Sequence, residues 1–163
     1  MADQEDYRSW AQHFGKSTLD PAVVAECTRA GLAKPPVIKR HMLESYESFG
    51  GLTVNFADPV VLGRKDRLGS GVGILYGIAL HLKGSKPYHG FLPYDVRPGD
   101  GQASLRAKFG APKAVAKDGH WDKWLIDGTE VTASYAEDLQ SLTTLTVFLP
   151  EPKSSVPEGA EKS

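Results

Sequence analysis

Cysteine is almost missing from this sequence. Cys27 is the only one in 163 residues, which excludes an internal disulfide and a zinc site built from several thiolates. Long apolar runs are missing too: the longest apolar-rich stretch, Val72 to Leu82, is broken by Gly73 and Gly77 and falls short of the ~20 residues needed to cross a bilayer as a helix. Neither sign of charge is in excess. With a formal net charge of -1, the molecule as a whole has no electrostatic footprint for nucleic acid or an anionic membrane, so direct binding to either is not expected. The opening residues, Met1 to Asp6, are acidic with no apolar stretch behind them. That argues against a secretory or lipoprotein leader, and the expected location is the cytoplasm.

Catalytic and metal-binding patterns are equally scarce. The five histidines, His13, His41, His81, His89 and His120, include no H-x-H or H-x-x-x-H pair, so no metal is expected. His81 falls in the polar phase of its strand and is expected on the solvent side. Gly69-Ser70-Gly71-Val72-Gly73 is followed by a strand-like run and lacks Gly-Lys-Ser/Thr. A phosphate cradle needs a helix after the loop, so this is read as a plain loop. There is no Gly-x-Ser-x-Gly, and Ser104 sits inside an amphipathic helix without a base to activate it. Asp122 and Asp127 lie beside a hairpin turn, where carboxylates are usually solvated. The chain is therefore expected to be a binding protein and not an enzyme, with no catalytic residue and no cofactor.

What is present suffices for one well-packed domain. A hydrophobic fraction of 40% with 24% charged residues is ordinary for a globular chain, and a domain of this size buries roughly 70% of its unfolded surface. Tyr7, Trp10, Ala11 and Phe14 recur at helical spacing, predicting a first helix over 4–14 ended by Gly15. Asp20 as N-cap and Pro21 at the first helical position open a second, with Val23, Val24 and Cys27 as its apolar stripe and Gly31 as its stop. Pro35-Pro36 breaks the chain before the β region. Strands are expected at 44–49 and 51–57 around Gly50-Gly51, then at 72–83, where Ile74, Tyr76, Ile78, Leu80 and Leu82 would share one face.

A central helix capped by Asp100 should run to Phe109, with Ala103, Leu105 and Phe109 packing inward and Gly110 and Pro112 ending it. Strands at 121–126, 129–136 and 142–149 follow, the first two joined by Asp127-Gly128, a sequence suited to the positive φ angles of a type I′ turn. Trp124 is expected to face the core. The expected architecture is α+β: an antiparallel sheet of about six strands, with the N-terminal helices and one central helix packed on one face. A single domain covers 1–150, and the Pro-, Ser-, Glu- and Lys-rich segment 151–163 is expected to be a disordered tail.

Charge is unevenly spread along the second half. From 118 to 138 six acids stand against one base, a local balance of -5, while from 97 to 117 five bases stand against Asp100, a balance of +4. Asp122, Asp127, Glu130, Glu137 and Asp138, with the nearby Tyr135, could form an acidic β-surface for a basic partner, aromatics anchoring and charges steering. Two solvated faces of opposite bias is the plainer reading.

Residues 90–149 carry a further pattern: Leu92-Pro93-Tyr94, Arg97-Pro98-Gly99-Asp100, Ser104 through Pro112, Trp121-Asp122-Lys123-Trp124, and the closing Leu145-Thr146-Val147-Phe148-Leu149. This resembles bacterial immunity proteins encoded beside polymorphic or type VI secreted toxins. The resemblance implies an α+β inhibitor that binds a cognate toxin or effector acting in the cytoplasm, such as a nuclease with a basic cleft. Asp122, Asp127, Glu130, Tyr135, Glu137 and Asp138 are then the expected partner contacts. The Gly-Asp, helix, Phe-Gly-x-Pro segment is also similar to small outer-membrane assembly lipoproteins, but the lipobox cysteine of that family has no counterpart here. The main rival reading is a small-molecule-binding or enzymatic α+β domain with its pocket between helix and sheet. A structural factor of a larger secretion machine is the third.

Overall fold

Local signals set the two N-terminal helices. The computed structural model of the protein describes residues 6–64 and 70–150, so the expected tail 151–163 and Gly69 at the start of the expected glycine-rich loop lie outside the described residues. Helix α1, Tyr7–Ala11, is capped by the Asp6 carboxylate, which accepts from Arg8 N at 2.9 Å. It is shorter than expected because the chain tightens after Ala11: His13 N bonds Trp10 O and Phe14 N bonds Ala11 O, three residues back. Trp10 is fully buried all the same. Helix α2, Pro21–Arg29, has the expected cap, with Asp20 accepting from Ala22 N at 2.8 Å. Its buried stripe is Val23, Glu26 and Cys27, whereas Val24 faces solvent. Positions 23, 26 and 27 share one side of a helix and 24 is turned about 100° away. Glu26 tolerates its place because Arg29 bonds its carboxylate.

Among the described residues seven strands form one antiparallel sheet: β1 Glu44–Phe49, β2 Leu52–Ala57, β3 Ile74–His81, β4 Ala114–Val115, β5 Trp121–Ile126, β6 Thr129–Tyr135 and β7 Leu142–Phe148, in the spatial order β1-β2-β3-β7-β6-β5-β4. The α+β class and the antiparallel sheet agree with the sequence. The strand beyond the expected six is β4, two residues long and placed just after Pro112, too short to show any alternation. Asp127 and Gly128 take φ values of 50° and 79°, as a type I′ turn requires. The last strand lies in the middle: β7 enters between β3 and β6 and joins two meanders, β1-β2-β3 and β4-β5-β6, into one sheet.

The expected single face of β3 does not hold. The register slips at Asn55/Phe56, so that Asn55 opposes Gly77 and Phe56 opposes Leu75, leaving Tyr76 as an extra residue. Leu75 takes the core position beside Phe56, Ile78 and Leu80. Tyr76 instead meets the Phe148 ring edge-on at 5.0 Å. Beyond the reach of β7, the segment Gly15–Thr18 takes over pairing to β3, through Gly15 N to Leu75 O, Leu75 N to Lys16 O and Thr18 N to Gly73 O.

Helix α3, Gln102–Phe109, starts with Gly101 at the cap position and no side-chain cap bond. Asp100, expected as the cap, stands one residue before it and accepts instead from Arg97 N, Ser104 Oγ and Lys108 Nζ. Leu105 is fully buried and Phe109 packs on Trp124 at 5.3 Å, but Ala103 is exposed, contrary to expectation. Trp10, Val23, Cys27 and Leu105 all join one core with Leu52, Val54, Ile78, Val131 and Leu145 of the sheet. All three helices therefore cover the same face.

The opposite face carries rows of side chains running across the strands. One row is Ser48, Thr53, Ala79, Thr146, Thr132 and Lys123, each opposite the next in register. A second is His81, Thr144, Ser134 and Trp121.

Candidate protein-binding surface

The acidic residues singled out by the charge pattern are distributed by the sheet in a way their sequence positions hide. Asp122 is 0% exposed and Tyr135 5%, so neither is part of a contact surface, and Asp122 is not a solvated hairpin carboxylate. Strand alternation points both inward, where Asp122 Oδ2 accepts from Arg106 Nε at 2.9 Å and Tyr135 Oη at 2.9 Å, and Oδ1 accepts from Arg106 Nη2 at 2.8 Å. A paired fork on a carboxylate is a strong arrangement, and the extra hydroxyl occupies a further lone pair. Burial, with the adjoining carboxylate, raises the Tyr135 phenol well above its ordinary range. Two more bonds line up with this one along α3: Gln102 Nε2 donates to Gly119 O at 2.8 Å, and Trp124 Nε1 donates to Gly110 O at 2.9 Å. Positions 102 and 106 are one helical turn apart on the same side of α3, and Gly110 follows directly after its last residue. Asp122 thus fastens α3 to β5 between two bonds that tie the ends of the helix region to Gly119 and Trp124.

Glu130 is half-buried and held by Lys113 Nζ at 3.0 Å and Lys123 Nζ at 3.5 Å. Burial raises its pKa, but those two lysines outweigh it and leave the carboxyl below its usual value. Only Asp127, Glu137 and Asp138 of the expected contacts are exposed. Asp127 sits in the β5–β6 turn and the other two beyond the far end of β6, and at strand spacing that separates them by roughly 30 Å. The basic block 97–117 and the acidic block 118–138 therefore meet across the α3–β4–β5–β6 contact, where Arg106 pairs with Asp122 and Lys113 with Glu130. No single acidic patch results.

Among the described residues no group of three His, Cys, Asp or Glu side chains is placed to hold a metal, and no helix is long and apolar enough to cross a membrane. Cys27 is buried in the core, and burial pushes its thiol up. His81 lies on the uncovered face, half-exposed, with Nε2 3.3 Å from Thr53 Oγ1, which is in turn 3.0 Å from Ser48 Oγ. Among the described residues the space between helices and sheet is occupied by the side chains of the core. A concavity of about 480 Å³ lies instead on the uncovered face, lined by Tyr76, Lys123, Glu130, Thr132, Thr146, Phe148 and Leu149.

A different surface stands out at the β1 edge. Among the described residues nine large hydrophobic side chains are exposed, and five of them gather here: Leu19, Val37, Met42, Leu43 and Tyr46. Two depressions that share Val37 connect four of them, one of about 190 Å³ lined by Val37, Met42 and Tyr46 with Lys39 and Glu44, and one of about 310 Å³ lined by Leu19 and Val37. Sequence reasoning missed this region. Its signal was the apolar Val37, Met42 and Leu43 set among Pro35-Pro36 and Lys39-Arg40-His41, a stretch where no periodicity buries them. Comparison with family models, with curated proteins and with solved structures finds no match to this chain.

Proposed function

We propose that this chain is an immunity-type protein that binds a cognate toxin or effector acting in the cytoplasm and neutralises it by presenting a preformed surface, with no bond-making of its own. The observation that carries the reading is the concentration of exposed apolar side chains at one sheet edge. Scattered apolar residues are normal on a surface, but a contiguous group beside polar residues marks a contact site for another protein. The sequence pattern over 90–149 supplies the toxin half of the proposal. It is tested by co-expression: the product of a toxin gene lying next to this one should stop growth alone and not in the presence of this chain. Growth arrest unaffected by the chain would sink the proposal.

A second reading is favoured by the concavity on the uncovered face. A hydroxyl floor from Thr132 and Thr146, a Lys123–Glu130 pair and the rings of Tyr76 and Phe148 suit a small polar ligand. Thermal stabilisation by such a ligand, lost in Thr146→Arg, would support it.

A further inference from the structure

We infer that the free edge of β1 is the docking site, and that the partner adds an extended, acidic segment of its own chain there as a further strand. This rests on the proposal that the chain works by binding another protein.

The backbone is the first argument. Among the described residues β1 has β2 as its one neighbour in the sheet, and the two-residue turn Gly50-Gly51 makes Phe49 and Leu52 the hydrogen-bonded closing pair. Alternation then points the peptide groups of Phe49, Glu47 and Ser45 toward β2. The bond from Asp58 N to Leu43 O at 2.8 Å continues the same phase. The N–H and C=O groups of Glu44, Tyr46 and Ser48 therefore point away from the sheet, a template for strand addition. The other edge is not equivalent. β4 offers two residues, follows Pro112, and its neighbour Lys113 is tied to Glu130.

Side chains give the second argument. Tyr46 is 67% exposed, and Val37, Met42 and Leu43 are each about half exposed beside the same edge. A groove runs between the turn at 39–42 and the start of β1. It can receive apolar side chains from an added strand.

Charge selects the occupant. Lys39 lines this groove, Lys34 lines the adjoining depression and Arg40 follows Lys39; all three are exposed, with no ion pair among the described residues. Of the acids nearby, Glu44 lines the same groove and accepts from the Tyr76 hydroxyl, while Glu47 turns toward the helix side of the sheet. Three bases against these two acids leave a local balance of +1, which favours an acidic strand over a basic one. A second copy fits poorly. Antiparallel pairing of β1 with itself carries the bases of one copy toward the other's Gly50-Gly51 turn, where the loop holding Lys83 and Lys86 returns over Gly51. This reverses the charge expected of the partner from the 118–138 stretch.

The test is an amide-resolved titration of the isotope-labelled full chain with a short peptide alternating valine and glutamate, beside its valine–lysine counterpart. The acidic peptide should shift and protect the amides of Glu44, Tyr46 and Ser48 and bind at least about tenfold more tightly than the basic one. Tyr46→Pro removes an outward N–H that the fold does not use and should weaken binding about tenfold. Lys39→Glu with Arg40→Glu, surface changes that leave the strand intact, should abolish the acidic preference. The inference is overturned by shifts elsewhere, by no preference for acid, or by a wild-type dimer that Tyr46→Pro converts to monomer. If these variants still rescue growth as the parent does, the edge assignment falls and the immunity proposal stands; if the parent itself does not rescue, that proposal falls first.

Discussion

A carboxylate shut away from solvent has to find its partners inside the fold, and Asp122 takes three hydrogen bonds from Arg106 and Tyr135. Removing it leaves a phenol and a guanidinium facing each other across an apolar gap. Asp122→Ala is therefore expected to cost about 3 kcal/mol, the lower end for breaking a buried pair, because the Arg106 side chain is 39% exposed and can turn to water. Tyr135→Phe removes one of the three bonds and should cost about 1.5 kcal/mol. Urea unfolding of both variants checks the order. An Asp122→Ala variant as stable as the parent would show that α3 is held by its apolar contacts alone. The same residue explains why a one-dimensional charge count misleads: strand parity turns Asp122 inward, while Asp127 is exposed because it lies in the turn after β5.

At the scale of elements, Gly77 and Phe148 face each other across β3 and β7. A Cβ at Gly77 would lie 2.1 Å from the Phe148 ring, so the ring occupies the space a side chain would fill. Gly77→Ala should push the ring off the sheet, cost about 1–3 kcal/mol and change the edge-on contact with Tyr76. Thermal unfolding and near-ultraviolet circular dichroism check it; unchanged values would mean that the ring moves freely. Gly77 also marks how far this region could be read beforehand. The strand, its turns and its apolar character were legible from alternation, and so were the α2 cap and both hairpin turns. The slip that frees Tyr76 was not, because a bulge depends on which residue of β2 stands opposite, and one strand's pattern holds no record of that. β4 was hidden by its two-residue length. Of the expected site, the sequence identified charged residues but not their pairing, since Arg106–Asp122 and Lys113–Glu130 are joined only by tertiary packing. The β1 edge went unnoticed because exposed apolar residues look like any others until the fold leaves them uncovered.

For the whole molecule, the order β1-β2-β3-β7-β6-β5-β4 places the most heavily covered backbone at the centre. Leu80, Leu145 and Ala133 sit side by side there, each fully buried. Amide hydrogen exchange should be slowest in β3, β7 and β6 and fastest at β1 and β4, following local burial. Equal protection of β1 and β7 would contradict a sheet whose stability falls toward its margins. The two meanders depend on one strand for their union, so Leu145→Ala should lower protection in both at once.

The central place of β7 has a consequence for biosynthesis. It leaves the ribosome after the other six strands, and until it arrives β3 and β6 are two raw flanks of separate half-sheets, each able to accept a stray strand. A nascent chain of this design stays open to chaperones throughout that interval. When two copies emerge close together, trading their last strands would knit them into an intertwined pair.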